Sequence, residues 1–176
     1  MTAGPGGLVV LESTSRRLMT KRIRRDARTG RLIKSQYGNE KFFRVRRASL
    51  GGFPDLAGCL TRLTGAHCAF VVRGEPFPDT DCRKTRRLLY DDPETGERAS
   101  FCEVPRHWFA VDMDKAPAPP SVDGADDPDG AIEYLIGLLP PELHDASCWW
   151  RLTASQGLPV SENALSAGCG SGAARL

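Results

Sequence analysis

The chain has 176 residues, a length that suits one domain, and the 40% that are apolar can fill a core. No apolar run approaches the roughly 18 residues a membrane span needs. Gly7-Leu8-Val9-Val10-Leu11 is too short for a secretion signal, so a soluble, cytoplasmic protein without a membrane partner is expected. The net charge of +2 hides a division: residues 1–60 hold 13 Lys and Arg against 4 Asp and Glu, whereas residues 112–145 hold 9 Asp and Glu against Lys115 alone. Such a division suits a protein that holds a polyanion in one place and a cation in another.

Residues 1–19, broken by Gly, Pro and Ser and without periodicity, are expected to be a flexible segment, with Met19-Thr20-Lys21 opening the folded part. Lys21 to Ser35 reads as a basic hairpin turning at Asp26-Ala27-Arg28-Thr29-Gly30, with Arg22, Arg24, Arg28 and Arg31 around it. Phe42 to Arg46 reads as a strand with Arg44 and Arg46 on one face and Phe43 and Val45 on the other. Pro54 and Asp55 open a helix; Leu56, Leu60 and Leu63 recur at helical spacing and Gly65 closes it. Cys68 to Gly74 is a short apolar strand ending in Arg73-Gly74. Arg83-Lys84-Thr85-Arg86-Arg87 is a basic run, and Asp92-Pro93-Glu94-Thr95-Gly96 is a turn.

Ala99 to Val104 and His107 to Asp114 read as strands. A polar loop covers residues 115–130. Asp129 is expected to cap a helix reaching Leu139, with Ile132, Leu135, Ile136 and Leu139 on one face and Pro140-Pro141 as its stop. Cys148 to Leu152 is a strand that runs into Thr153-Ala154-Ser155-Gln156-Gly157. From Gly168 to Leu176 the chain shows no pattern of any element. Alternating strands and helices argue an α/β (α+β) fold with a mixed sheet and packed helices.

The chemistry concentrates on Trp108-Phe109-Ala110-Val111-Asp112-Met113-Asp114. On a strand, residues two apart share a face, so Asp112 and Asp114 stand together while Phe109, Val111 and Met113 face the other way. Two neighbouring carboxylates repel unless a cation lies between them, and Mg²⁺ or Mn²⁺ takes such oxygen ligands together with substrate phosphates. The plain alternative is a strand end whose acids face water. For phosphate contacts the candidates are Arg44, Arg46, Arg73, Arg86 and Arg87; Arg73, at the end of an apolar strand, suits a bidentate clamp. Their alternative is ordinary solvated surface or an edge strand protected by charge. Trp149-Trp150 offers a stacking surface, although a hydrophobic strand explains at least one of the two. His67, His107 and His144 have no metal-ligand spacing. Cys59, Cys68, Cys82, Cys102, Cys148 and Cys169 form no C-x-x-C pair, so free thiols are expected.

The order of several parts carries a resemblance. These are Val71-Val72-Arg73-Gly74, Arg86-Arg87-Leu88-Leu89, the Asp92 to Gly96 turn, and Pro105 to Asp114. A helix, Leu139-Pro140-Pro141-Glu142-Leu143, and Cys148 to Gly157 follow. Together they resemble, over roughly residues 20–166, the primase-polymerase domains of the archaeo-eukaryotic primase superfamily, in the form found on plasmids, phages and integrated elements.

The resemblance implies an RRM-like mixed sheet. It makes Asp112 and Asp114 metal ligands at the catalytic centre, through the match of Ala110-Val111-Asp112-Met113-Asp114 to the family's first motif. It implies Mg²⁺ or Mn²⁺ as cofactor, single-stranded DNA template and nucleotides as substrates, and a replicative helicase as partner. The family's later S-x-H motif and third acidic residue have no match after Ser155-Gln156-Gly157. Where an aromatic apolar strand is expected after Ala164-Leu165-Ser166-Ala167, the chain reads Gly168-Cys169-Gly170-Ser171-Gly172. One choice of codons for that stretch, read in another frame, gives Leu-Trp-Phe-Trp. The expectation is therefore the N-terminal portion of a primase-polymerase, out of frame from about Gly168 and inactive alone, with 167–176 a disordered or out-of-frame tail. The alternative is a non-catalytic nucleic-acid-binding module that uses the basic N-terminal half.

Overall fold

The computed structural model describes residues 6–19, 22–35, 40–117, 119, 121–122, 126–152 and 164–172. The chain divides into two compact units, Met1–His107 and Trp108–Leu176, where one domain over residues 20–166 was expected. The architecture is α+β, built from small sheets and two α-helices, and every strand pair among the described residues is antiparallel.

The first unit opens on β1 (Gly7–Ser13), which corrects the expectation of a flexible segment over 1–19. Its Gly-Leu-Val-Val-Leu run is continuously apolar rather than alternating, the signature of a strand buried on both faces. Leu8, Val9 and Leu11 are fully buried. At about 1.5–3 kcal/mol per buried aliphatic side chain, this run outweighs the turn-forming residues that flank it. A basic hairpin follows, β2 (Arg22–Arg25) and β3 (Leu32–Ser35), with β2 and β3 antiparallel as the sequence indicates.

Then come β4 (Phe43–Ser49), α1 (Phe53–Thr64), β5 (Ala69–Val72) and the short pair β6 (Glu75–Pro76) and β7 (Phe101–Cys102). β7 is much shorter than the strand expected over Ala99 to Val104. The sheet order is β4-β1-β5. Because both outer strands are antiparallel to β1, they run in the same direction and are joined through α1, a split β-α-β arrangement. Val9, Leu11, Phe43, Val45, Val72 and Phe101 form the core on one side of it, with Phe70 meeting Phe43 edge-on. The outer edge of β4 is covered: Phe43 exchanges both backbone bonds with Thr85, and Val45 N–H donates to the Cys82 carbonyl.

Two turns in this unit share the sequence D-x-x-T-G and the same bonding. Asp26 accepts from the amides of Arg28 and Thr29, and Asp92 from those of Glu94 and Thr95. In each, the glycine N–H returns to the Asp carbonyl, and Gly30 and Gly96 take φ values of 68° and 69°, a region glycine enters without a Cβ clash. Both aspartates are held below the usual carboxylate range, first by the threonine that follows them.

The second unit comprises β8 (Trp108–Pro117), α2 (Pro128–Gly137), a 3₁₀ turn (Pro141–Leu143), β9 (Cys148–Leu152) and β10 (Ala164–Gly172). Its sheet order is β8-β10-β9. Again the outer strands run in one direction, joined through α2, with an antiparallel strand between them. β10 corrects the expectation that the stretch from Gly168 has no element; residues 173–176 and Thr153 to Gly157 lie outside the described residues. Glycine and serine have little strand preference of their own, so the pairing partners on both sides impose the strand. Asp127, not Asp129, caps α2, accepting from the Gly130 N–H at 2.9 Å. Pro128 then takes the first helical position, where a missing N–H does no harm. Ala131, Ile132 and Leu135 pack with Ala116, Met113, Trp150 and Leu152. No helix among the described residues is long and apolar enough to cross a membrane.

Candidate functional site

Asp112 and Asp114 lie on β8, an edge of the second unit's sheet. Met113 pairs with Ala167, but the next pair joins Ala116 to Leu165, so Asp114 and Lys115 together stand opposite Ser166. This is a β-bulge, which re-aims the side chains it carries and is over-represented beside active sites. It also explains why Met113 and Ala116, three apart, both contribute to the α2-side core. Simple alternation therefore holds only up to Met113. Ala110 and Asp112 are exposed, whereas Phe109, Val111 and Met113 are partly buried. Asp114 sits in the bulge, and its side chain lies outside the described residues.

The register adds a residue that sequence reasoning did not single out. Asp112 is paired with Gly168, and Gly168 with Arg151 of β9, so Asp112 and Arg151 occupy one face with only a glycine between them. Arg151 is exposed. By the same register Trp149 belongs to this face, opposite Gly170, while Trp150 belongs to the α2 side and packs in its core. The period-2 pattern of Cys148 to Leu152 held this signal, but the pairing partners did not. Among the described residues no group of three or more His, Cys, Asp or Glu side chains is placed to hold a metal ion.

The five candidate phosphate-binding arginines all belong to the first unit, and the structure separates them. Arg44 and Arg46 do share the face opposite Phe43 and Val45, but Arg46 is paired to Glu12 at 2.8 Å. Arg73 is paired to Glu103 at 3.2 Å. Arg86 bonds to Glu97 and lies 3.6 Å from Asp92, bracing the second D-x-x-T-G turn. Arg44 and Arg87 are exposed and make no ion pair among the described residues; Arg87 stands over the Phe70 ring at 5.7 Å.

One buried ionic cluster also escaped the sequence reading. Glu75 is 2% exposed and bridges Arg47 at 3.2 Å and Arg106, whose side chain is covered, at 2.5 Å, while Arg106 Nε donates to the Arg73 carbonyl. The available signal was the alternation itself: Arg47 follows Phe43 and Val45 on one face of β4, which puts its charge at the margin of an apolar face where a carboxylate partner is favoured. At the far end of β1, Glu40 accepts from the hydroxyls of Ser13 and Ser15, which hold its pKa at about 2. Cys59, Cys68, Cys82, Cys102 and Cys148 carry free thiols.

No protein-family model, curated protein or solved structure matches the chain.

Proposed function

We propose that the chain is a portion of a primase-polymerase of the archaeo-eukaryotic primase superfamily, with Asp112 and Asp114 contributing ligands for Mg²⁺ or Mn²⁺ in nucleotidyl transfer. The observation that carries this reading is the exposed Asp112 on β8, two residues along the strand from the exposed Ala110 and immediately before a bulge that contains Asp114. An edge strand with an exposed carboxylate beside an interrupted ladder is suited to present oxygen ligands to a hard cation. Each unit holds a split β-α-β arrangement, a motif that an RRM-like fold also uses, although here the two lie in separate sheets; the RRM-like assignment is part of the proposal.

The donor set fits a hard cation in kind and falls short in number. When bound, the cations supply activation of the attacking 3′-hydroxyl and stabilisation of the leaving oxygen. Asp112 and Asp114 would hold them. Arg151, on the face of Asp112, supplies a positive charge for a nucleotide's phosphates. The S-x-H motif that the family uses for the triphosphate is missing from this sequence, so the 176-residue chain alone is expected to bind metal weakly and make no primer. Template-directed, Mn²⁺-dependent primer synthesis by the purified chain would overturn that. Single-stranded DNA, nucleotides and a replicative helicase are the proposed partners.

A second reading, nucleic-acid binding without catalysis, is favoured by the charge of the first unit. Residues 1–107 hold 21 Lys and Arg against 12 Asp and Glu. This reading predicts salt-sensitive DNA binding that persists in a metal chelator, with no saturable Mn²⁺ uptake.

A further inference from the structure

We infer that Leu89 and Tyr90 form a stacking platform for single-stranded nucleic acid, flanked by Arg83, Lys84 and Arg87. Tyr90 is 82% exposed and Leu89 50%, an apolar pair in open solvent that no packing requirement explains. Their presentation is fixed on both sides. The Leu88 carbonyl accepts from the Ser100 and Phe101 amides, and the Asp91 carboxylate accepts from the Ala99 amide at 2.8 Å. Arg86 braces the turn that follows through Asp92 and Glu97. Leu89 and Tyr90 thus stand between two anchors, so little ordering entropy remains to be lost when a base stacks on the ring.

The charge around the pair selects the partner. Residues 83–90 carry four basic groups and no acidic one. Arg86 is committed to carboxylates, whereas Arg83, Lys84 and Arg87 are exposed. Lys84 and Arg87 are held over the rings of Phe42 and Phe70, at 4.6 Å and 5.7 Å, which orders two cations on the same segment. Of the acidic groups on the other flank, Asp91 accepts an amide, Asp92 is held by its own turn and Arg86, and Glu97 pairs with Arg86, while Glu94 is exposed beyond the turn. An exposed aromatic ring on a segment that also carries exposed cations is the chemistry of sequence-tolerant binding to unpaired strands, because a ring stacks on a splayed base that a duplex does not offer. The inference goes beyond the metal site and does not depend on it, since the segment belongs to the first unit and needs no cation.

The test uses the full chain in EDTA, with fluorescence anisotropy of a labelled oligothymidylate and of a duplex of equal length. Wild type is expected to prefer the single strand. Tyr90→Ala should weaken that binding about tenfold, in line with one stacked base, and Tyr90→Phe should keep it within about twofold. The salt dependence should stay the same in Tyr90→Ala and fall in the Lys84→Ala, Arg87→Ala pair. Because Tyr90 is exposed, the variant should fold, and circular dichroism checks that it does. Wild type that does not bind the oligothymidylate, equal affinity for the duplex, or a Tyr90→Ala affinity equal to wild type would overturn the inference. Loss in Tyr90→Phe as large as in Tyr90→Ala would do the same, since the hydroxyl rather than the ring would then carry the contact. Mn²⁺ uptake through Asp112 and Asp114 is read separately, so either reading can fail while the other stands.

Discussion

The two units use one strand plan and opposite electrostatics. Each places an antiparallel strand between two outer strands linked through a helix, yet the first is basic and ties several of its charges into ion pairs, while the second is acidic and shows no ion pair among the described residues. The ion pairs among the described residues all lie in the first unit: Arg46–Glu12, Arg47–Glu75–Arg106, Arg73–Glu103, and Arg86 with Asp92 and Glu97. In the second unit Asp112 is exposed and has no ion pair among those residues. Charge density and charge availability therefore differ. Several arginines that look like phosphate ligands by composition already serve as structural partners. Cation binding instead favours carboxylates that no arginine has claimed.

The sharpest way to break this comparison is to remove the buried carboxylate. Glu75→Ala removes the buried carboxylate that Arg47 and Arg106 share, and a loss of about 3–5 kcal/mol is expected from chemical denaturation. A loss under about 1 kcal/mol would mean that the cluster is not structural. Leu135→Ala probes the other unit, which is held by a helix rather than by ions. Leu135 is 2% exposed, and about 2–5 kcal/mol should be lost when the same denaturation is followed by tryptophan fluorescence, since Trp108, Trp149 and Trp150 all belong to this unit.

A smaller effect sharpens the account of α2. Asp127→Ala should lower stability by about 1 kcal/mol through the lost cap, measured by thermal melting, and Asp129→Ala should cost less because it removes only a first-turn charge. The smallest effect is in pH. The hydroxyls of Ser13 and Ser15 stabilise the Glu40 carboxylate, so its pKa falls from 4.5 to about 2 on folding. Its contribution is complete above about 4.5 and is lost as pH falls toward about 2. Denaturation midpoints of wild type should decline over that window more than those of Glu40→Gln.

Much of the helical and turn structure was readable because local chemistry decides it. The Leu56, Leu60, Leu63 spacing and the two D-x-x-T-G turns need no distant partner. β1 was hidden because Gly, Pro and Ser on either side drew attention from a five-residue apolar run. β10 was unreadable for the opposite reason: Gly168, Gly170 and Gly172 carry no preference, and the strand exists through its neighbours. At the candidate site the D-x-D spacing was legible, but the bulge at Asp114 and Lys115 was not, since it depends on the register with Ser166. The pairing of Glu75 with Arg106, 31 residues apart, was likewise a product of the fold.

The central claim is that Asp112 and Asp114 of β8 bind a divalent cation. It is tested most directly by titrating the full chain with Mn²⁺ while free Mn²⁺ is followed by electron paramagnetic resonance. Saturable uptake by wild type, displaced by Mg²⁺ and abolished in Asp112→Ala, Asp114→Ala, is the expected result. Uptake by the double variant equal to that of wild type, or no uptake by wild type, would contradict it.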